Sequence, residues 1–409
     1  MPPYSIVVFM TIVMAIMVPQ TTFGFSAPTS NVTSGDITRA KDIALVLPAR
    51  GNAKLGAEET LFPASWWQSI FQAFHQTSIG DALEVENKLN DWRLVAVRLA
   101  PCQPLLAYIT PRNEVLCQPE LRLIWQPVTQ HFIRDKWTAY ADDRAIHVLY
   151  RFEPEAGLPK ERAKVWKDLR ARAEYLTSVE EREFDLLNRE LVDQVAGKLR
   201  ELRGSDQVTV YDELGERPEF AQPQSASAFL SRLSNFLRTF AKPENLTQLT
   251  AFSLPEGRDP PMIDEWVFVA FEPSNSGRDL KRQELTVKSP RDGRVLASYG
   301  LKARGTVRRD EESLIDLKDQ LLGADQDELE EAVIWTFPER KHKSSRIADP
   351  HRTHVAHTSC ISCHKLGPVN FDLHNLSYFE NREVSISPRV VQDVLRELEW
   401  LSQTRKITQ

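Results

Sequence analysis

The sequence predicts an α+β body of mixed, mostly antiparallel strands with a long charged helical hairpin, followed by a small all-α domain at the C-terminus. Three observations predict it. Short apolar runs of strand length recur on both sides of residues 159–203, and those residues themselves switch to a helical period. A polar, basic, apolar-poor stretch at 338–349 then separates the body from a last segment that ends in an amphipathic helix. The chain has 409 residues, 42% of them hydrophobic and 26% charged, which is length and apolar content for two or three domains with a sizeable core.

The first element is not part of the body. An uncharged apolar run extends from Ile6 to Val18 and is followed by Pro19 and the small residues Thr22 and Gly24. It has the length of a signal-peptide apolar region and falls short of the roughly 20 residues that span a bilayer. Residues 1–24 are therefore expected to be a signal peptide. The expected location is periplasmic, or otherwise exported in the bacterial manner. The n-region has no Lys or Arg, and a membrane association would arise only if this segment stayed uncleaved. Residues 25–41, polar and rich in Ser and Thr, read as a flexible leader.

The body is expected over 42–337. Strand patterns fall at 42–48, 93–100, 120–128 and 145–152, with a helix around Trp66 to Ala73. From Pro159 the apolar residues Val165, Trp166, Leu169, Ala173 and Leu176 share one helical face. Ser178 and Glu181 form a capping-box pattern, so a second helix starts there and carries Phe184, Leu187, Leu191, Val195 and Leu199 inward before stopping at Gly204. The two helices form a hairpin or one broken rod, with their charges on a solvated face. A third helix is expected at 225–241, then strands at 246–254, 265–272, 284–289 and 294–301, with turn signals such as Arg-Asp-Gly pointing to antiparallel pairing. The acidic stretch 310–331 is helical by pattern, and 332–337 is its last turn or a closing strand. The body divides into subdomains 42–157 and 205–337 joined by the helices of 159–203.

Charge and motifs narrow the function. A net charge of -6 and a pI near 5.9 argue against a nucleic-acid partner, which requires a clear Lys/Arg excess. No P-loop, GxGxxG, GxSxG or HExxH pattern occurs, and the nine Trp residues read as core. Cys102 and Cys117 flank a polar, Pro-containing loop, a spacing that suits a disulfide in an oxidising compartment, where closing the loop would stabilise the fold by about 3 kcal/mol. Metal or redox chemistry at this pair lacks a CxxC spacing or a nearby His.

The other two cysteines carry chemistry. Cys360, Ile361, Ser362, Cys363 and His364 form the CxxCH signature of covalent haem attachment. Two thiols at this spacing reach the two vinyl groups along one porphyrin edge, and the next side chain is directed beneath the iron as its proximal imidazole ligand. A structural zinc site would need a second ligand pair at short spacing, and a thioredoxin-like dithiol would need a preceding strand; neither is evident. The chain is therefore expected to carry one covalent haem c.

Residues 350–409 resemble a c-type cytochrome domain. The resemblance rests on this motif and on the closing helix, where Ser387 and Pro388 supply N-cap and first-turn Pro before the stripe Val391, Val394, Leu395, Leu398 and Leu401. It implies that the closing helix packs near the haem edge, and that a redox partner protein exchanges electrons with the iron. Two features depart from the family: the segment before the motif makes a poor apolar helix, and no Met follows the motif. The chain has five Met, four of them within the first 24 residues, so Met262 alone is left as a thioether ligand after signal cleavage.

Of the nine His residues, His342, His351, His354, His357, His364 and His374 lie between 342 and 374. His374 is the only His or Met after the motif and is the expected distal iron ligand. The competing arrangements are five-coordinate iron, His354 or His357 folding back, or Met262 from the body. Surface histidine is the ordinary alternative for each, and the triplet His351, His354 and His357 lacks a matched carboxylate for a separate metal site. The leading functional expectation is single-electron transfer, with the body recognising a partner or positioning the haem. A haem-dependent redox enzyme with its substrate site in the N-terminal body is the alternative, as is a structural or sensory haem.

Overall fold

The computed structural model describes residues 38–48, 55, 61–77, 92–104, 117–133, 136–141, 145–203, 214–253, 267–274, 279–282, 284–288, 295–300, 376–377, 385–386 and 388–408. They form a mixed α+β structure around one antiparallel sheet. Its strands are β1 (Ala44–Val46), β2 (Trp92–Pro104), β3 (Cys117–Ile133), β4 (Lys136–Ala141), β5 (Ala145–Arg151), β6 (Leu246–Ser253), β7 (Val267–Pro273) and β8 (Leu280–Arg282). The order is β1-β2-β3-β5-β6-β7-β8, with β4 folded back on the far end of β3. Two smaller antiparallel pairs join β9 (Glu284–Lys288) to β10 (Val295–Gly300) and β11 (Leu376–Ser377) to β12 (Ser385–Ile386).

Six α-helices and four short 3-10 helices complete the described structure; the α-helices are α1 (Ala40–Ile43), α2 (Ala64–Thr77), α3 (Lys160–Ala171), α4 (Ser178–Glu201), α5 (Pro223–Phe240) and α6 (Pro388–Thr408). Among the described residues, no helix is long and apolar enough to cross a membrane.

The sheet exists because strand residues bury side chains on alternate faces. The register sets Leu99 against Leu121 and Leu121 against Tyr150; one step along, Val97 opposes Leu123, Leu123 opposes Val148, and Val148 opposes Leu249. These residues line one apolar face. There α2 contributes its aromatic residues: Phe62 just before it meets Trp66 and Trp125 edge-on, with ring centroids 5.7 and 5.6 Å apart. The buried Tyr150 hydroxyl donates to the Leu61 carbonyl at 3.3 Å, which satisfies a polar group that would otherwise be costly to bury.

Strand β5 pairs with β6, so the sheet runs straight across the helices of 159–203. The two-subdomain division at 42–157 and 205–337 is therefore corrected. The helices are an insertion between two neighbouring strands of one sheet.

The hairpin reading of that insertion holds. Trp166 of α3 donates from Nε1 to Asn188 Oδ1 of α4 at 2.6 Å and stacks on Phe184. The capping box lies one residue earlier than expected. Thr177 is the N-cap and accepts from the Glu180 amide, while Glu180 accepts from the Thr177 amide at 2.8 Å. Those hydrogen bonds, backbone first, hold the Glu180 carboxyl down to about 2. At its other end α4 is closed by Arg232 of α5, which donates to the Leu202 carbonyl at 2.9 and 3.1 Å.

The strand expected at 42–48 begins instead as α1, with β1 covering only Ala44–Val46. Its Asp42 is buried and accepts from Arg203 Nε at 2.7 Å, with Arg217 3.6 Å away on the same carboxylate. A buried carboxylate needs such partners. They fix α1 at the C-terminal end of α4 and turn its apolar residues into the sheet edge.

The terminal helix also departs from expectation. Val390, Val394 and Leu401 are buried, but Leu395 is 54% exposed, and the buried face includes Arg389, Asp393 and Glu397. This face packs on β2, α4 and α1. The helix assigned by sequence to a separate C-terminal haem domain thus packs on the body.

Candidate functional site

The sequence-predicted haem residues Cys360, Cys363, His364 and His374 lie outside the described residues, as do His351, His354, His357 and Met262. Among the described residues, no group of three or more His, Cys, Asp or Glu is arranged to hold a metal ion. The nearest described elements are β11, beginning two residues after His374, and α6, beginning at Pro388. Strand β11 lies beside β2, as α6 does, so the chain after the motif returns to the same strand twice.

Cys102 is half-buried in β2. Cys117 is the first residue of β3 and opposes Pro104, with Gln118 opposing Gln103. A bulge between Ala100 and Gln103 shifts the register there. The two cysteine positions are diagonal neighbours on paired strands.

A buried charged constellation lies where α6 meets β2. Arg98 and Arg122 are direct cross-strand neighbours on the face of the sheet opposite Trp125 and Tyr150. Like charges so placed repel. Compensation comes from α6: Arg98 donates from Nη2 to Glu397 Oε1 at 2.7 Å and from Nε to Oε2 at 3.4 Å, and Nη2 lies 3.2 Å from Asp393 Oδ2. Asp393 also meets Arg389 at 3.1 Å and Arg396 at 3.6 Å. Arg122 lies 4.0 Å from Glu120, the next same-face residue of β3. Nearby, Arg189 of α4 sits over the Trp400 ring of α6, 4.6 Å from its centroid, adding a cation–π contact.

The two α6 carboxyls respond oppositely to this setting. Burial pushes Glu397 above its ordinary value of 4.5, and repulsion from Asp393 adds to this against the pull of Arg98. Burial also opposes ionisation of Asp393, but Arg98, Arg389 and the other surrounding arginines outweigh it and hold the group below its ordinary 3.8. Arg98 is moved further upward by the two carboxylates despite its burial. Both carboxyls feel Arg98, and the further pull of Arg389 and Arg396 on Asp393 separates their titrations. The cluster fastens α6 to the sheet, and no nucleophile with a matched base stands in it.

Sequence reasoning missed Arg98, Asp393 and Glu397 as a unit. The available signal was the four-residue spacing of 389, 393 and 397 next to Val390, Val394 and Leu401, which places charges within the inward face of a helix. No family model, curated protein or solved structure matches this chain.

The cluster gives a testable energetics. Arg98→Ala is expected to destabilise the fold by about 3 kcal/mol, because it leaves buried carboxylates without their shared cation, whereas Arg98→Met with Glu397→Leu costs less than the single Arg98 change. The pH dependence follows the shifts. Asp393, being depressed, contributes stability above its ordinary range and loses it as pH falls through its folded value. Glu397, being raised, disfavours the fold as pH rises through its folded value. Glu397→Gln should therefore abolish the decline on the alkaline side of the carboxylate range while keeping the acid-side loss. Urea titrations from mildly acidic to neutral pH check both statements.

Proposed function

We propose that this chain is an exported c-type cytochrome that carries one covalent haem c on Cys360 and Cys363, with His364 as the proximal iron ligand. The observation that carries the reading is the CISCH motif at 360–364, in a chain that begins with a signal-like apolar segment. The donor set suits the group: two thiols for the vinyl positions and an imidazole for the iron. When bound, the haem supplies a one-electron change at iron.

The protein's own residues anchor and orient. Cys360 and Cys363 would anchor the haem covalently, His364 would ligate its iron, and His374 is proposed as a second ligand. Two histidines would set a lower potential than a His/Met pair, since thioether ligation raises it. Docking of α6 and β11 on β2 supports a positioning role for the body, because the segment after the motif is tied to the sheet. A redox partner protein is proposed to take or deliver the electron. The Cys102–Cys117 disulfide is proposed as a clamp on the β2–β3 hairpin, in keeping with export to an oxidising compartment.

The covalent haem is tested by staining after denaturing electrophoresis of protein made with haem-attachment machinery present. Wild type is expected to stain and the Cys360→Ala, Cys363→Ala double variant to lose the signal; stain that persists in the variant refutes the attachment.

For the distal position, reduced His374→Ala is expected to turn high-spin and bind carbon monoxide readily, whereas wild type stays low-spin and inert to it. An unchanged low-spin spectrum in the variant would remove His374, and carbon monoxide binding by wild type would favour an open iron and the enzymatic alternative.

Mass spectrometry of unreduced peptides should recover Cys102 joined to Cys117. Alkylation of both as free thiols would rule the clamp out.

A further inference from the structure

The α3–α4 hairpin buries one apolar stripe and displays another. The inward stripe of α4, from Phe184 to Leu199, packs into the core. On the outward side Val165 of α3 and Leu186 of α4 are 39% and 46% exposed, and with Leu187 they floor a groove of about 320 Å³ between the helices. Val179 precedes Leu186 by two helical turns on the same face and is 66% exposed, while Tyr175 at the hairpin tip is 81% exposed. Apolar side chains grouped on one helical face and left in water gain by being covered, even where the patch is small.

The charges around this strip show what chemistry fits it. Most of the hairpin's ions are satisfied internally, as in Arg162 with Glu190, Lys167 with Glu155, and Arg172 with Asp168 and Glu180. Five exposed residues are different. Lys160, Glu161, Lys164, Arg182 and Glu183 have no ion-pair or hydrogen-bond partner among the described residues. They include both signs, on both helices, beside the apolar strip. A face bearing one sign would call for a partner of the other sign; a face with both signs interleaved can be complemented by itself, turned about a two-fold axis.

We infer that the outer face of the α3–α4 hairpin is a self-association surface whose occupant is the same face of a second copy of this chain. Val165 and Leu186 form the apolar centre of the contact. Lys164 and Arg182 of each copy meet Glu161 and Glu183 of the other. The face is about 18 Å long on α3 and two helices wide, below the roughly 800 Å² per partner of a standard interface. The dimer is accordingly weak and reversible. This inference is independent of the haem.

Sedimentation equilibrium of the full mature holoprotein tests it. Wild type is expected to show a monomer–dimer equilibrium with a Kd in about the micromolar range. Val165→Glu and Leu186→Glu, both at exposed positions, are each expected to raise that Kd at least about tenfold with an unchanged circular-dichroism spectrum. Glu183→Lys should also weaken association, and adding Lys164→Glu should restore it, a recovery that misfolding could not produce. Leu186→Cys should cross-link to itself across the axis. A wild type that stays monomeric at every concentration overturns the inference, as does a dimer indifferent to these substitutions or a Leu186→Cys cross-link to a different surface.

Discussion

Arg98 is the residue on which the second face of the sheet depends. It lies in an interior strand, directly across from Arg122, and two arginines facing each other inside a sheet have no stable arrangement by themselves. What makes the arrangement tenable comes from the other end of the chain, where Asp393 and Glu397 converge on the guanidinium. A buried ion pair of this sort contributes less to net stability than to uniqueness: hydrophobic residues could fill the same volume, but they would not require one particular helix in one particular rotation. Asp393, held also by Arg389 and Arg396, allows α6 only a single angular setting on β2.

The two faces of the sheet are thus built on different chemistry. The face toward Trp125 and Tyr150 is a conventional apolar core with α2 against it, closed by edge-on aromatic contacts and by the Tyr150 hydroxyl on the Leu61 carbonyl. The opposite face is organised by charge, with apolar contacts from Val390, Val394 and Leu401 around it. A second charged centre does the same for the N-terminal edge, where Asp42 gathers Arg203 and Arg217. In both places one buried group of one sign is shared by several of the other, so that remote segments of the chain become neighbours.

Much of this was legible in the sequence, for a physical reason. β2, β3, β5 and β6 announce themselves because strand burial alternates with period two and their neighbours bury both faces. The α3–α4 hairpin announces itself because Trp166, Leu169, Phe184 and Leu187 recur at helical spacing. What the sequence concealed depends on contacts distant in the chain. The pairing of Val148 with Leu249 across an insertion leaves no local trace. The inward face of α6 was misplaced because Arg389, Asp393 and Glu397 look solvated and Leu395 looks buried, when the reverse is true. Thr177 and Ser178 are both followed three residues later by Glu, and the extended backbone of Thr177, with Ser178 already helical, decides which becomes the cap. The proposed haem chemistry rests on the five adjacent residues Cys360 to His364, which lie outside the described residues, as does His374, proposed by elimination as the second ligand.

The position of Arg98 also sets a timetable. Its counter-charge Glu397 lies 299 residues downstream, so at about 5–20 residues per second the strand is synthesised roughly 15–60 s before the helix that neutralises it exists. The apolar face needs nothing beyond β7 and β8, so it can collapse onto α2 in the later part of that interval, before Asp393 and Glu397 have been made. The charged face cannot be dehydrated until Asp393 and Glu397 arrive. Maturation is therefore asymmetric: one side of the sheet can set before α6 exists, and the other stays wet until α6 has been made.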